Sequence, residues 1–291
     1  MSLGDLTATN LLVGLPSSLS TADAVRWACV LEATAPKVGN VHPGASFDDL
    51  RYIDFVHAAE TTASVLCDPS LPIGTRIARA VDHSGRGVGN VNLGIVLLFA
   101  PMIGPADRGD LGPAAIEREI ASWSAADAAQ IYGVIASTAG GLGDSDRHDV
   151  RQSSMRSEPP PIVDAMTAAA DRDRVALQYA GGFVDLFENI VPALRRHCIK
   201  DPLGGIVRCQ IELLAGSVDS LIVRKCGLPA AERIRNLAGQ TDPNDPDSIA
   251  HLDLVLRRDG HRYNPGTTAD LIAAGLFVLL MDRHGGPTPP V

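Results

Sequence analysis

The chain has 291 residues, enough for one large domain or two ordinary ones with a substantial buried core. Acidic residues outnumber basic ones by 34 to 25, and no basic block or interleaving of arginines with aromatics occurs, which argues against a nucleic-acid surface. Aromatics make up 4% while Ala, Leu, Val and Ile abound, pointing away from a strand sandwich and towards an all-α fold packed through small and aliphatic side chains.

Residues 1–19 are polar and turn-prone and read as a flexible arm ahead of a single all-helical globular domain with long functional loops over 20–291. The opening lacks a cationic start followed by an apolar stretch, so no secretory signal is read. Ser20-Thr-Ala-Asp23 has the spacing of a helix cap, and Val25, Ala28, Cys29 and Leu31 follow at helical intervals. That helix delivers Glu32 into a loop that runs to Leu50. Pro36, Gly39, Pro43 and Gly44 forbid a continuing helix there. The loop concentrates Glu32, Lys37, Asn40, His42, Asp48 and Asp49, and chemistry tends to sit on loops carried by rigid elements. Lys37 stands out because only Lys200 and Lys225 share its type.

Ser46-Phe-Asp-Asp49 repeats the capping spacing, and Tyr52, Phe55, Val56, Ala59, Ala63 and Leu66 form one apolar stripe. Asp48 and Asp49 therefore read equally as first-turn acids favoured by the helix dipole and as metal ligands. A short helix over 73–83 leads into Gly85-Arg-Gly-Val-Gly-Asn-Val-Asn-Leu-Gly94, where an open backbone can approach a ligand and the next helix offers free N–H groups to an anion. The loop lacks the spacing and lysine of a P-loop, and a tight turn capped by Asn90 fits it equally well. Residues 101–113 read as a linker, Ser124-Ala-Ala-Asp127 caps a helix to about Ser137, and 138–161 is a long loop rich in Gly, Asp, Ser and Pro. Three aspartates and a histidine within 140–149 lack the EF-hand spacing, so this loop reads as a mobile solvated lid.

Residues 162–197 read as helical material bent near Gly181-Gly182 and at Pro192, with Asp171-Arg-Asp-Arg174 as a solvated charged face. A helix over 201–215 follows, and Asp219, Arg224 and Lys225 then fall within a turn or two of each other. After helices over 229–238 and 249–258, Asn264-Pro265-Gly266 fixes a turn. Thr267 or Thr268 caps the last helix, which carries Asp270 in its first turn. The apolar runs 95–103 and 271–281 are shorter than the ~20 residues a membrane span needs, so no membrane partner is expected. Five cysteines, Cys29, Cys67, Cys198, Cys209 and Cys226, odd in number and without Cys-x-x-Cys spacing, point to buried thiols in a reduced, cytoplasmic setting.

These pieces, in this order, resemble the triphosphoribosyl-dephospho-CoA synthase family. Glu32, Pro36, Lys37, Gly39 and Val41 meet its first motif, 87–94 is similar to its glycine and asparagine loop, Asp219-Ser220 to its later Asp-(Ser/Thr) segment, and Pro265-Gly-Thr-Thr-Ala-Asp-Leu271 to its closing motif. The departures are a leucine, Leu93, where better-known members carry lysine, Leu221 where they carry asparagine, and 178–183 in place of a Gly-Ala-Arg-Gly-Glu-Ala segment. They mark a divergent branch.

The resemblance implies transfer of the triphosphoribosyl part of ATP to a ribose hydroxyl of dephospho-CoA, with release of adenine. Breaking a sugar–base bond builds positive charge on the sugar ring, so it calls for a carboxylate near the anomeric carbon and a base for the incoming hydroxyl. Glu32, Asp49, Asp219 and Asp270 are the catalytic candidates. Lys37, Gly39, Asn40, His42, Gly89, Asn90, Asn92, Gly94, Arg224, Lys225, Asn264, Gly266, Thr267 and Thr268 are the substrate- and phosphate-binding candidates. Magnesium is expected with the triphosphate, on Asp48 and Asp49. The Glu32–Asp49 loop, the glycine loop and Asp270 are expected to line one cleft. Two other readings stay open: a ribosyl or phosphoribosyl transferase with another acceptor, as in the making of a tetrahydromethanopterin-type pterin cofactor, and a non-catalytic nucleotide-binding protein. The donor is ATP or another ribose phosphate such as phosphoribosyl pyrophosphate, the acceptor is a small molecule, and a homo-oligomer is compatible with the sequence.

Overall fold

Two helices, α4 (Leu93–Asp107) and α14 (Gly266–Asp282), are apolar on nearly every face and buried along most of their length, the pattern of helices that others surround. They cross at Phe99 and Phe277, whose ring centroids are 5.2 Å apart. This is a computed structural model, and it describes residues 19–84, 92–138 and 159–282. Among the described residues the fold is all-α, and two isolated bridges, His42 with Ala45 and Phe47 with Leu50, are the only extended pairings.

Around this pair, α1 (Thr21–Thr34) lies against α14 and against α2 (Tyr52–Leu66), while α3 (Ile73–Ser84) joins α2 to α6 (Ala125–Thr138). α5 (Pro113–Ala121) packs on α4. Next come α7 (Ile162–Thr167), α8 (Arg174–Ala180), a π-helical turn over Leu186–Ile190 and α9 (Val191–Cys198). The chain closes through α10 (Pro202–Gly216), α11 (Ser220–Cys226), α12 (Leu228–Gln240) and α13 (Pro246–Arg257) before α14. No described helix is long and apolar enough to cross a membrane.

The apolar interior has two parts that share α10. Ile206, Cys209 and Leu213 of that helix face the main core around α4 and α14. Val207, Ile211 and Leu214 face a smaller core made with Ile222, Ala231, Ile234, Leu252, Leu256 and one loop residue, Val38. The loop that follows α1 is thus pinned into the second core while its first residues belong to the first. The seam between the two cores is where the polar groups gather.

Local chemistry explains most boundaries. Ser20 caps α1 by accepting from the Asp23 amide at 3.1 Å, as its spacing predicts. Three expectations are corrected. Residues 101–113 are not a linker, because α4 runs on through Pro101 and Pro105 to Asp107. Pro101 has no N–H for the Leu97 carbonyl, and the buried Tyr179 hydroxyl donates to that carbonyl instead at 2.6 Å. The second helix begins at Tyr52, with Arg51 as its cap residue and the Asp54 carboxylate accepting from the Arg51 amide at 2.8 Å. Residues 46–49 cannot start it, since Phe47 and Leu50 exchange backbone hydrogen bonds across a turn that carries Asp48 and Asp49. The third correction concerns α14. Neither Thr267 nor Thr268 caps its own helix, because α14 begins at Gly266 and both lie inside it, their hydroxyls bonded across to Ser220 and Asp219.

Candidate active site

Glu32 sits in the last turn of α1 with its side chain almost wholly buried, and Lys37, five residues on, is 0% exposed. The Lys37 ammonium contacts a Glu32 carboxylate oxygen at 2.7 Å and also donates to the Glu32 backbone carbonyl. Among the described residues, the ion pair and the hydrogen bond of this cation therefore both go to one residue.

Behind the pair, the loop is held by side chains from far along the sequence. Gln210 of α10, fully buried, accepts from the Val38 amide at 2.8 Å and donates to the Val38 carbonyl at 2.9 Å and to Asn40 Oδ1 at 2.7 Å. Asn40 Nδ2 donates to Asn264 Oδ1 at 2.6 Å, which ties the loop to the turn before α14. Gly39 has φ +70°, and its amide donates to Asp253 at 2.7 Å. A Cβ there would stand 2.8 Å from the Leu256 Cβ, so glycine is required on two counts. Arg257 pairs with Asp253 at 2.8 Å and donates to the Asn40 carbonyl. His42 is half-buried, and burial, followed by the charge of Arg257, lowers its pKa.

Asp270 stands in the first turn of α14 against the start of α4, so close that a Cβ on Gly94 would fall 2.0 Å from its carboxylate. No hydrogen bond satisfies this carboxyl among the described residues. Burial pushes its pKa well above the usual carboxylate range, and the negative charges of Glu32, Asp219 and Asp173 push the same way. Asp219 is the opposite case in its contacts. One oxygen accepts from the Leu221 and Ile222 amides at 2.9 and 3.1 Å, and the other from the Thr268 amide and hydroxyl, each at 2.8 Å. Burial still raises its pKa.

The outer rim carries the remaining candidates. Arg224 faces Asp173 at 3.8 Å, and Lys225 donates to the His261 carbonyl at 3.3 Å. The Lys225 pKa is lowered by burial and then by Arg224, while Asp219 and Asp49 oppose the shift. Asp49 is 65% exposed and lies 3.5 Å from His261. His261 meets Phe47 edge-on at 5.9 Å, and the Arg257 guanidinium lies 5.2 Å from the Phe47 ring centroid.

The candidates thus divide. Glu32 and Asp219 lie near enough to Asp270 to act on it by charge, Lys37 contacts Glu32, Gly94 faces Asp270, Thr268 contacts Asp219 and Thr267 contacts Ser220, whereas Asn40 and Asn264 bond each other on the loop behind. Asp48 and Asp49 stay on the solvent side of the turn. Asn92 is buried and donates to Thr62 at 3.0 Å. Gly266 lies beneath Leu221, whose Cδ2 would stand 2.6 Å from an added Cβ. Gly89 and Asn90, like the 139–158 loop, lie outside the described residues.

The profile of the ATP:dephospho-CoA triphosphoribosyl transferase family matches residues 18–289. The chain belongs to that family. It is a transferase, and its family moves the triphosphoribosyl group of ATP to dephospho-CoA. A crystal structure of a candidate triphosphoribosyl-dephospho-CoA synthase from Archaeoglobus fulgidus is similar in fold, with a TM-score of 0.62 at 22% identity over 80% of this chain and 98% of that one. A sequence search of curated proteins returns no match. Neither the pterin acceptor nor the non-catalytic reading gains support from these similarities.

Sequence reasoning missed several residues of this transferase. Gln210 left a signal, an amide inside the apolar spacing Ile206, Val207, Gln210, Leu213, Leu214, where a buried polar group must find partners. Asp173, read as part of a solvated face, caps α8 and puts its charge on Asp270. Asp253 and Arg257 gave no signal, since an acid and a base four residues apart also describe any exposed helix face.

Proposed function

We propose that the transfer proceeds with Asp270 as the proton donor to the departing adenine and Glu32 as the carboxylate that faces the charge developing on the ribose ring. The C1′–N9 bond of ATP breaks with its electron pair leaving on adenine, and the Asp270 proton neutralises that charge. The acceptor hydroxyl bonds to C1′ and releases its proton, which returns Asp270 to its starting state directly or through solvent. What supports this reading is the contrast between two neighbouring carboxyls: Glu32 is ion-paired with Lys37, whereas Asp270 has no hydrogen-bonding partner among the described residues and a raised pKa. A carboxylate held in an ion pair beside a carboxyl whose pKa is raised is the arrangement that base and acid assignments call for.

Lys37 acts on Glu32 and not on phosphate, because its ammonium is buried and already engaged. The polyphosphate then relies on Arg224 and Lys225, whose present partners are a loose ion pair and a single carbonyl. Among the described residues no group of three or more His, Cys, Asp or Glu side chains is arranged to hold a metal. The residues fit a magnesium ion that arrives with the phosphates and takes one or two carboxylates, Asp48 or Asp49, from the protein. Bound there, it would neutralise phosphate charge.

The test is incubation of the purified protein with ATP and dephospho-CoA, followed by mass spectrometry of adenine and the triphosphoribosyl adduct. Asp270→Asn should lower adenine release by about a hundredfold or more while ATP still binds. Full activity in a folded Asp270→Asn protein would defeat the assignment.

A further inference from the structure

We propose that Asp219 is a positioning residue: together with Ser220 it clasps Thr267 and Thr268, and this clasp fixes where Asp270 stands. The inference rests on the reading of Asp270 as the proton donor.

The geometry is reciprocal. Asp219 accepts from the Thr268 amide and hydroxyl, and the neighbouring Ser220 hydroxyl donates to the Thr267 hydroxyl at 3.0 Å. Two consecutive residues at the start of α11 are thus paired in antiparallel order with two consecutive residues at the start of α14. Ser220 also accepts from the Arg174 amide at 3.3 Å, which brings in the first residue of α8. The beginnings of three helices are locked by one acid, one serine and two threonines, all buried.

Asp270 follows Thr268 by two residues, so rotation or sliding of the first turn of α14 would move its carboxyl directly. With four donors on its two oxygens, Asp219 has little capacity left to take a proton from substrate. It still acts on Asp270 through charge. Among the described residues, the ionisable groups around Asp270 are Glu32 and Cys29 on α1, Asp219 and Arg224 on α11, and Asp173 at the cap of α8. The acids among them favour its protonated form and Arg224 opposes it. The same clasp holds α11, whose last turn carries Arg224 and Lys225, so the proton donor and the cations share one mechanical reference.

Thr268→Val removes one donor and preserves shape, Thr268→Ser keeps the donor, and Asp219→Asn removes the charge. Thr268→Val is expected to lower kcat about tenfold to a hundredfold with KM changed by less than about threefold, since small misplacement of a reacting group costs that much. Thr268→Ser should restore most of the rate. In Asp219→Asn the Asp270 carboxyl, followed by carbon-13 NMR and identified by its disappearance in Asp270→Asn, should titrate at lower pH. Wild-type kcat in Thr268→Val, or loss of the rate in Asp219→Asn as deep as in Asp270→Asn with an unmoved Asp270 titration, would overturn the clasp. If Asp219→Asn does not fold, the two Thr268 variants decide alone. The NMR titration does not depend on turnover, so it separates failure of the clasp from failure of the Asp270 assignment, which full activity of Asp270→Asn would expose.

Discussion

Lys37→Met tests whether the buried ion pair is what holds Glu32. The substitution keeps the length of the side chain but leaves a carboxylate that is 5% exposed without its cation. Breaking a buried pair by removing one partner costs about 3–5 kcal/mol, because the remaining charge is uncompensated. Unfolding entropy near 2.1 cal/mol/K per residue gives ~0.6 kcal/mol/K for 291 residues, so the loss corresponds to a Tm lower by roughly 5–8 °C. Adding Glu32→Gln should recover most of that Tm, since removing both charges together avoids the penalty. Differential scanning calorimetry on the two variants reads the stability, and adenine release from ATP reads the function. Neither variant should turn over, because one has lost the orientation of Glu32 and the other the carboxylate itself. The reasoning is refuted if Lys37→Met keeps the wild-type Tm. It is also refuted if that variant keeps kcat and only its KM for ATP rises, which would make Lys37 a phosphate ligand.

The raised pKa of Asp270 fixes two signs. Its protonated form is present below that pKa, so kcat should fall as pH rises through it, and the alkaline limb of the pH profile should follow the NMR titration of this carboxyl. For stability, the folded state binds this proton more tightly than the unfolded state. Stability is therefore lost as pH rises from the unfolded towards the folded pKa, and Asp270→Asn should melt higher than wild type at alkaline pH. Arg224→Ala with Lys225→Ala should raise the KM for ATP about tenfold or more and flatten its dependence on ionic strength, and an unchanged salt dependence would count against a phosphate role. Tyr179→Phe orphans the Leu97 carbonyl left free by Pro101, and should cost about 1–3 kcal/mol in denaturant titration without altering kcat. Leu221→Asn should lower the KM for ATP severalfold and reduce Tm, because it exchanges an apolar contact over Gly266 for a donor.

What was legible in the sequence was the part of the fold set by neighbours in the chain. Composition pointed to the all-α class, and the starts read at Ser20 and Asp201 are true ones, each residue accepting from an amide of its own first turn, whereas Asp219 caps α11 without having been read as a helix start. Of the loops expected to line one cleft, Glu32 and Gly94 do lie near Asp270, while Asp49 stays exposed and 87–91 lie outside the described residues. What was not legible depends on contacts between distant residues. The turn at Phe47–Leu50 takes its place from His261 and Arg257, more than two hundred positions away. Lys37 carries the charge a phosphate site needs, and only the fold reveals that Glu32 engages it. Pro101 should end a helix by local rules, and a tyrosine from α8 satisfies the carbonyl that would otherwise make it do so.

The departures from the better-known family pattern acquire a physical meaning on α11. Leu221, which the sequence resemblance sets against an asparagine, packs over Gly266, so this junction is sealed by carbon. Arg224 and Lys225 follow three and four residues later, which puts them on the same side of the helix as Leu221. One end of that face is apolar and fixes α11 to α14, and the other end is cationic and faces the rim, where Lys225 already reaches the 261 carbonyl. Asp219, at the head of the same helix, ties both ends to the first turn that carries Asp270. A short helix of seven residues therefore couples the placement of positive charge to the placement of the proton donor, and a change in its packing alters both together.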